Sequence, residues 1–333
     1  MAKRLLISAL VLFGAIGFST RFRPLTARAA GPVTVLEPIR FFQVQGVDDW
    51  YLLDVAVYHG DLFLLLNNVG GLNQILRLTG SGDIVRKIIL PSLPRMQNLR
   101  QLRISQSGTL AVSFSHFGPA PLTTLYLYDT DGTLKTSFDV PLFNEIAFIG
   151  DDLVGVGPSG ITQLTSQSRF VLNGNRVPLV LLDPSIPILI TASLHQNKLA
   201  IVEPVSGRLQ IAAIDSLLVA PMVLYAPEIQ EVERPSVENG WVAVISTVAT
   251  NQAGSLYLGV TGAKRQEGAP VLQYDSSGML KNRIKCILPT FGQNPSDHQS
   301  YMYAGKLLAT NDSLFWVSMS EKKVAAYSTG DLH

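Results

Sequence analysis

One unit recurs along this chain: a tight polar turn followed by an apolar strand whose first residue is leucine. The copies read "HGDLFLLL", "QSGTLAVSF", "GDDLVGVG", "HQNKLAIVE", "QAGSLYLGV" and "TNDSLFWVS", and their leucines are Leu62, Leu110, Leu153, Leu199, Leu256 and Leu314. Successive leucines stand 48, 43, 46, 57 and 58 residues apart, so the chain carries six copies. Another apolar strand precedes each copy: "YLLDVAVY", "LRQLRIS", "NEIAFIG", "PILITASL", "WVAVISTV" and "YMYAGKLLA". A third and a fourth strand follow, the fourth often closing on proline, as at Pro91, Pro141 and Pro289. No stretch holds a 3.6-residue apolar period long enough for a helix. Even "APEIQEVERPSVE" (226–238) is broken by Pro227 and Pro235 and reads as a polar loop.

Four antiparallel strands repeated at this interval predict an all-β chain folded as a six-bladed β-propeller, since four strands with their turns need about 40–50 residues per blade. The last copy runs out at "KKVAAYSTGDLH" after three strands, while "PVTVLEPIRFFQVQ" (Pro32–Gln45) is strand-like and unused. That segment is expected to complete the sixth blade and close the ring, which removes an exposed sheet edge. The hairpins "LYLYDTDGTLK" and "LQYDSSGMLK", with a degenerate copy at "LRLTGSGDIV", resemble the YD-x-x-G-x-L turn of NHL-repeat-like and TolB-like six-bladed propellers. The motif is clear in two blades, so the resemblance implies a superfamily and its fold, and no particular activity.

Residues 1–29 have the layout of a secretory signal peptide. Lys3 and Arg4 precede the apolar run Leu5–Phe18, and "TARAA" offers small residues for cleavage after Ala29. The basic "TRFRPLT" keeps an uncleaved anchor open as the alternative. The expectation is a secreted or periplasmic protein with one domain over 30–333. Without residues 1–29 the chain keeps 21 basic against 25 acidic residues, a net charge of −4. A mildly acidic body without basic clusters argues against nucleic acid, and against membrane contact beyond the export signal. The single cysteine, Cys286 in "IKCILP", excludes an internal disulfide and reads as a small buried apolar residue. About 300 residues bury a core without such staples.

In a propeller, the turns joining first to second and third to fourth strands share one face. Here they are all tight: "HGD", "QSG", "NDS", "DTDG", "DSSG", "STGD". The other face carries longer loops: "NNVGGLN", "SHFGPAPL", "GVTGAKRQEGAP" and "LPTFGQNPSDHQSY". Function concentrates on variable loops held by a rigid scaffold, so the long-loop face is the expected binding face. Its candidate ligand-binding residues are Trp50, Asn67, His116, Arg265 and His298. Each has a plainer reading. Trp50 can pack between blades, Asn67 and Asn98 can satisfy loop backbone groups, and Arg265 can belong to an exposed charged loop.

Two functions are set against each other. The first is a non-catalytic scaffold, a monomer without a cofactor, that binds a protein, peptide, glycan or small molecule. The second is a calcium-dependent lactonase or esterase, an activity found among six-bladed propellers, with Glu145, Asn144 and Asn98 as hard oxygen ligands. No spacing ties those three together. "DTDG" (129–132) has the look of a calcium-loop fragment but lacks the rest of the ligand ladder, so it reads as a turn. No G-x-S-x-G, zinc spacing or phosphate loop occurs.

Overall fold

The computed structural model describes residues 32–91, 97–116, 121–157, 160–164, 190–194, 198–203, 208–213, 222–225, 244–261, 269–287 and 305–332. Among the described residues almost everything regular is β-strand, in six sheets, with one 3-10 turn at Gly330–Leu332. The chain begins with two short strands, β1 (Val33–Leu36) and β2 (Arg40–Gln43). A first blade follows, of β3 (Trp50–Tyr58), β4 (Asp61–Asn68), β5 (Asn73–Leu78) and β6 (Ile84–Ile89). The second holds β7 (Gln97–Ile104), β8 (Leu110–His116), β9 (Leu122–Tyr128) and β10 (Leu134–Pro141). A three-stranded sheet of β11 (Glu145–Ile149), β12 (Asp152–Gly157) and β13 (Gly160–Gln163) comes next.

The chain continues with a blade of β14 (Ile190–Leu194), β15 (Lys198–Glu203), β16 (Arg208–Ala213) and β17 (Met222–Tyr225). After it comes one of β18 (Val244–Thr250), β19 (Leu256–Thr261), β20 (Ala269–Tyr274) and β21 (Leu280–Cys286). The last sheet joins β22 (Gly305–Ala309), β23 (Ser313–Ser318) and β24 (Lys323–Ser328) to β2. Within all of these, consecutive strands pair antiparallel, which gives five four-stranded antiparallel blades of a β-propeller. The first strands stand side by side: β3 against β7, β7 against β11, β11 against β14, β14 against β18, β18 against β22, and β22 against β3.

The amino-terminal segment divides its pairing. The sequence predicts one strand over Pro32–Gln45 added to the last sheet. Only Arg40–Gln43 pairs there, antiparallel to β24, with Arg40 opposite Ala326. Val33–Leu36 instead lies parallel to β21 as the outermost strand of the neighbouring sheet, with Val33 opposite Arg283. Pro38 stands between the two strands and cannot donate to a ladder.

The repeated leucines have one job. Leu62, Leu64 and Leu66 of β4 pack against Leu308, Phe315 and Val317 of the last sheet, while Phe63 and Leu65 pack against Leu102, Leu110 and Val112 of the second blade. Alternate residues of a strand point to opposite faces, and here both faces are covered by neighbouring blades, so "LFLLL" is a continuous apolar run rather than an alternating one. Leu110, Leu153, Leu199 and Leu314 likewise sit in cores shared with the preceding sheet. Burying each stabilises the chain by about 1.5–3 kcal/mol.

The tight turns are built alike. In "YDTDG", Gly132 N–H donates to Asp129 O at 2.9 Å and Asp129 N–H to Thr133 O at 2.9 Å; in "YDSSG", Gly278 and Asp275 repeat the first bond at 2.9 Å and Asp275 and Met279 the second at 2.9 Å. Gly132 is required twice over. Its φ of +92° is left-handed, and a Cβ there would meet Ile88 Cγ1 at 2.9 Å. Asp129 pairs with Lys135 at 2.5 Å and Asp131 accepts the Thr133 N–H at 3.0 Å, so the acids of "DTDG" serve the hairpin.

Candidate functional site

The first strands place a line of charges where they meet. Asp54 lies on β3, Arg103 on β7, Glu145 on β11 and Lys306 on β22. Arg103 Nη1 donates to Asp54 Oδ2 at 2.6 Å, and its Nη2 donates to Glu145 Oε2. Lys306 Nζ donates to Asp54 Oδ1. An arginine that touches acids of the sheets on both its flanks must stand in front of its own strand rather than between two blades. The network therefore faces the axis of the ring. Its side chains stay 10–23 % exposed, so solvent reaches them.

Backbone geometry aims these groups. Register shifts by one residue between Leu52 and Asp54 on β3, a bulge of the kind that redirects a side chain. Asp54 sits opposite Leu65, the residue three beyond the repeated Leu62. The same register position is held by Gln101 opposite Ser113, Glu145 opposite Val156, Ile190 opposite Val202, Thr247 opposite Gly259 and Lys306 opposite Val317. Three polar members of this set each tie their sheet to the next. Asp54 Oδ2 accepts Leu102 N–H at 2.8 Å, Gln101 Oε1 accepts Ile146 N–H at 2.8 Å, and Thr247 Oγ1 accepts Leu307 N–H at 2.9 Å. Lysine cannot accept, and at the Lys306 step the pattern changes: Val55 N–H turns to its own Asp54 Oδ1 at 2.8 Å while Lys306 donates to the same oxygen.

Position along the line sets protonation. Burial alone would raise the Asp54 carboxyl, but Lys306, Arg103 and the Leu102 N–H outweigh it and hold it below the usual carboxylate range. Burial likewise opposes the Arg103 charge, and Glu145 with Asp54 hold the guanidinium above its ordinary value. At the ends the balance reverses. Burial raises Glu145 more than Arg103 lowers it, and burial lowers Lys306 more than Asp54 raises it. A middle member has two opposite charges at contact distance and an end member one, so burial prevails at the ends and not in the middle.

The residues expected from sequence are scattered by comparison. Trp50 is partly buried and packs with Phe42 and Val57 on the core joining the last sheet to the first blade. Asn67 Nδ2 donates to Leu72 O at 2.9 Å and Asn73 Oδ1 at 3.1 Å, holding the loop between β4 and β5. His116 ends β8, its Nε2 3.0 Å from Thr124 Oγ1, and Thr124 donates to Asp139 Oδ1 at 2.7 Å. Because the hydroxyl proton goes to the carboxylate, His116 Nε2 is the donor in that contact, the reverse of a histidine activating a nucleophile. Glu145 and Asn144 are neighbours at the start of β11, and Asn144 O accepts from Gln101 Nε2 at 2.8 Å. Asn98 belongs to β7, but its side chain lies outside the described residues, as do Arg265, His298 and the leader 1–29.

The sequence expectation reached Glu145 and missed Asp54, Arg103 and Lys306. A signal was present. Asp54 and Lys306 are charged residues in otherwise largely apolar first strands, "YLLDVAVY" and "YMYAGKLLA", and counting from the repeated leucine places Asp54, Glu145 and Lys306 in one register, with Arg103 one residue off it in "LRQLRIS". The described residues gather no group of three His, Cys, Asp or Glu able to hold a metal ion. Glu145, an expected calcium ligand, is already held by the guanidinium of Arg103.

No family model matches the chain, and no curated protein matches it. Among solved structures it is similar to a protein of unknown function from Bacteroides caccae, at 13% identity and a TM-score of 0.48, over 72% of this chain and 82% of that one. It is also similar to Sqt1 of Saccharomyces cerevisiae, at 12% identity and a TM-score of 0.38, over 86% of this chain and 83% of that one. Likenesses this distant leave function to be argued from this chain's own side chains.

Proposed function

We propose that this chain is an exported, six-bladed propeller that acts as a non-catalytic, monomeric binding ring. It takes a protein, peptide, glycan or small molecule on its long-loop face and the adjoining axis, without a resident cofactor. The six-blade reading draws on the unbroken circuit of first strands and counts the three-stranded sheet as a blade. In that reading the pairing of β2 with β24 closes the ring. Export draws on the leader and places the protein in the periplasm or outside the cell.

One observation carries the binding reading: the charged groups at the axis neutralise one another. Protonating either carboxylate, Asp54 or Glu145, would strip the guanidinium between them of a counter-charge, so neither is set up as a general base. Here Asp54 is held by two cations, Arg103 bridges two acids, and the Glu145 carboxylate is shared with a guanidinium. The calcium-dependent lactonase or esterase built on Glu145, Asn144 and Asn98 would need a cation to displace Arg103 from Glu145, which makes it the second reading.

Glycan and peptide arrays probed with the mature chain test the choice. Saturable binding is expected, weakened by His116→Ala or Arg265→Ala on the long-loop face and unchanged by Ser277→Ala in a tight turn. Calcium-dependent cleavage of lactones or aryl esters, lost on Glu145→Ala, would overturn the binding reading in favour of the enzyme.

A further inference from the structure

The line of axial charges is open at both ends. Asp54 and Arg103 each stand between two partners of opposite sign, whereas Lys306 and Glu145 each have one. An ammonium carries three N–H donors, and Lys306 spends one on Asp54. Glu145 gives Oε2 to Arg103, and among the described residues no hydrogen bond reaches its Oε1. Both end side chains keep contact with solvent, at 23 % for Lys306 and 18 % for Glu145. In the circuit of first strands, β22 and β11 are three steps apart counted in either direction, so the two open ends face each other across the axis. Among the described residues of this register, the other polar groups, Gln101 and Thr247, spend their acceptor oxygens on neighbouring backbone.

We infer that the axis binds a zwitterion: a molecule or peptide segment carrying a carboxylate for Lys306 and an ammonium for Glu145. The chemistry follows from what each end lacks. Spare ammonium donors call for an anionic acceptor, and a half-satisfied carboxylate calls for a cationic donor, the charge-assisted bonds that gain most in a partly desolvated site. The four protein groups sum to zero charge, so a ligand of net charge would leave one buried end without compensation. A zwitterion completes both ends and keeps the axis neutral. The inference rests on the binding reading and names the chemistry of its ligand.

Titration calorimetry of the mature chain with ω-amino acids from glycine to aminooctanoate tests it, each compared with the amine and the carboxylate of equal length. One chain length is expected to bind at least about tenfold more tightly than either one-ended analogue, equivalent to about 1.4 kcal/mol. A short optimum identifies a free α-amino acid, and a long one identifies paired charges on a peptide. Glu145→Gln should remove the preference over the carboxylate, and Lys306→Met the preference over the amine. The comparison within the unsubstituted protein decides the matter even where a variant folds poorly. Equal affinity for one-ended analogues, or no binding by any member while array ligands are still captured, overturns the zwitterion inference and leaves the binding ring. Failure of both sets of ligands removes the ring reading as well.

Discussion

The Asp54 carboxylate ties three sheets together, its own, that of Arg103 and that of Lys306. Its two oxygens take Lys306, Arg103, and the N–H groups of Val55 and Leu102. Replacing it with asparagine removes the charge that offsets two buried cations, and breaking such a pair costs about 3–5 kcal/mol. Chemical denaturation at neutral pH measures this directly. The sign of the pH dependence differs along the line. The lowered Asp54 pKa contributes stability that is present above the unfolded carboxylate value and is lost as pH falls through its folded value. Glu145, raised by burial, behaves oppositely: its contribution is full at low pH and is lost as pH rises through its raised folded value. Asp54→Asn should therefore flatten the acid limb of the stability curve, below about pH 4. Glu145→Gln should cost only about 1 kcal/mol at neutral pH.

Among elements, the contact between the sheets of β19 and β23 is the most demanding. Trp316 of β23 is 1% exposed. A Cβ on Gly305 would meet its Cζ2 at 2.6 Å, and one on Gly259 would stand 3.2 Å from its Cζ3. Those two glycines leave room for the indole. Gly305→Ala should cost about 1–3 kcal/mol by overpacking. Trp316→Phe, destabilising alone, should cost less in the Gly305→Ala background, so a double-mutant cycle with a favourable coupling checks the contact. At Leu62, Leu110, Leu153, Leu199 or Leu314, replacement by alanine should cost about 2–5 kcal/mol, because each fills a core shared with a neighbouring sheet. This much of the architecture was legible in advance. The turn-then-leucine unit located the second strands, and the Gly132 and Gly278 turns located the outer hairpins. The divided pairing of β1 and β2 was not legible, since an exposed four-residue strand carries no pattern that names its partner sheet.

For the whole molecule, the amino-terminal segment is the vulnerable part. Leu36 belongs to the core beside β21, and Val44 and Val47 to the core beside β24, so the segment adds apolar contacts to both sheets as well as covering their edges. Deleting residues 32–45 should lower the melting temperature and expose the edges of β21 and β24. Light scattering should then show species larger than those the intact chain forms. A truncated chain of unchanged particle size and melting temperature would argue that the edges are protected in another way.

By itself, the sequence determined the repeating strand, the tight turns and the face on which the short turns fall. All of these are local: an apolar run needs burial, and a glycine at positive φ needs only its own backbone. Only the tertiary structure decided the axial charges. Lys306 and Asp54 are 252 residues apart, Arg103 and Asp54 are 49 apart, and Arg103 and Glu145 are 42 apart. The repeat puts Asp54, Glu145 and Lys306 at one register position, but neither period nor propensity says that the charges touch. Those four residues meet because the first strands stand in a circuit, and a circuit becomes visible only when β22 has come to rest against β3.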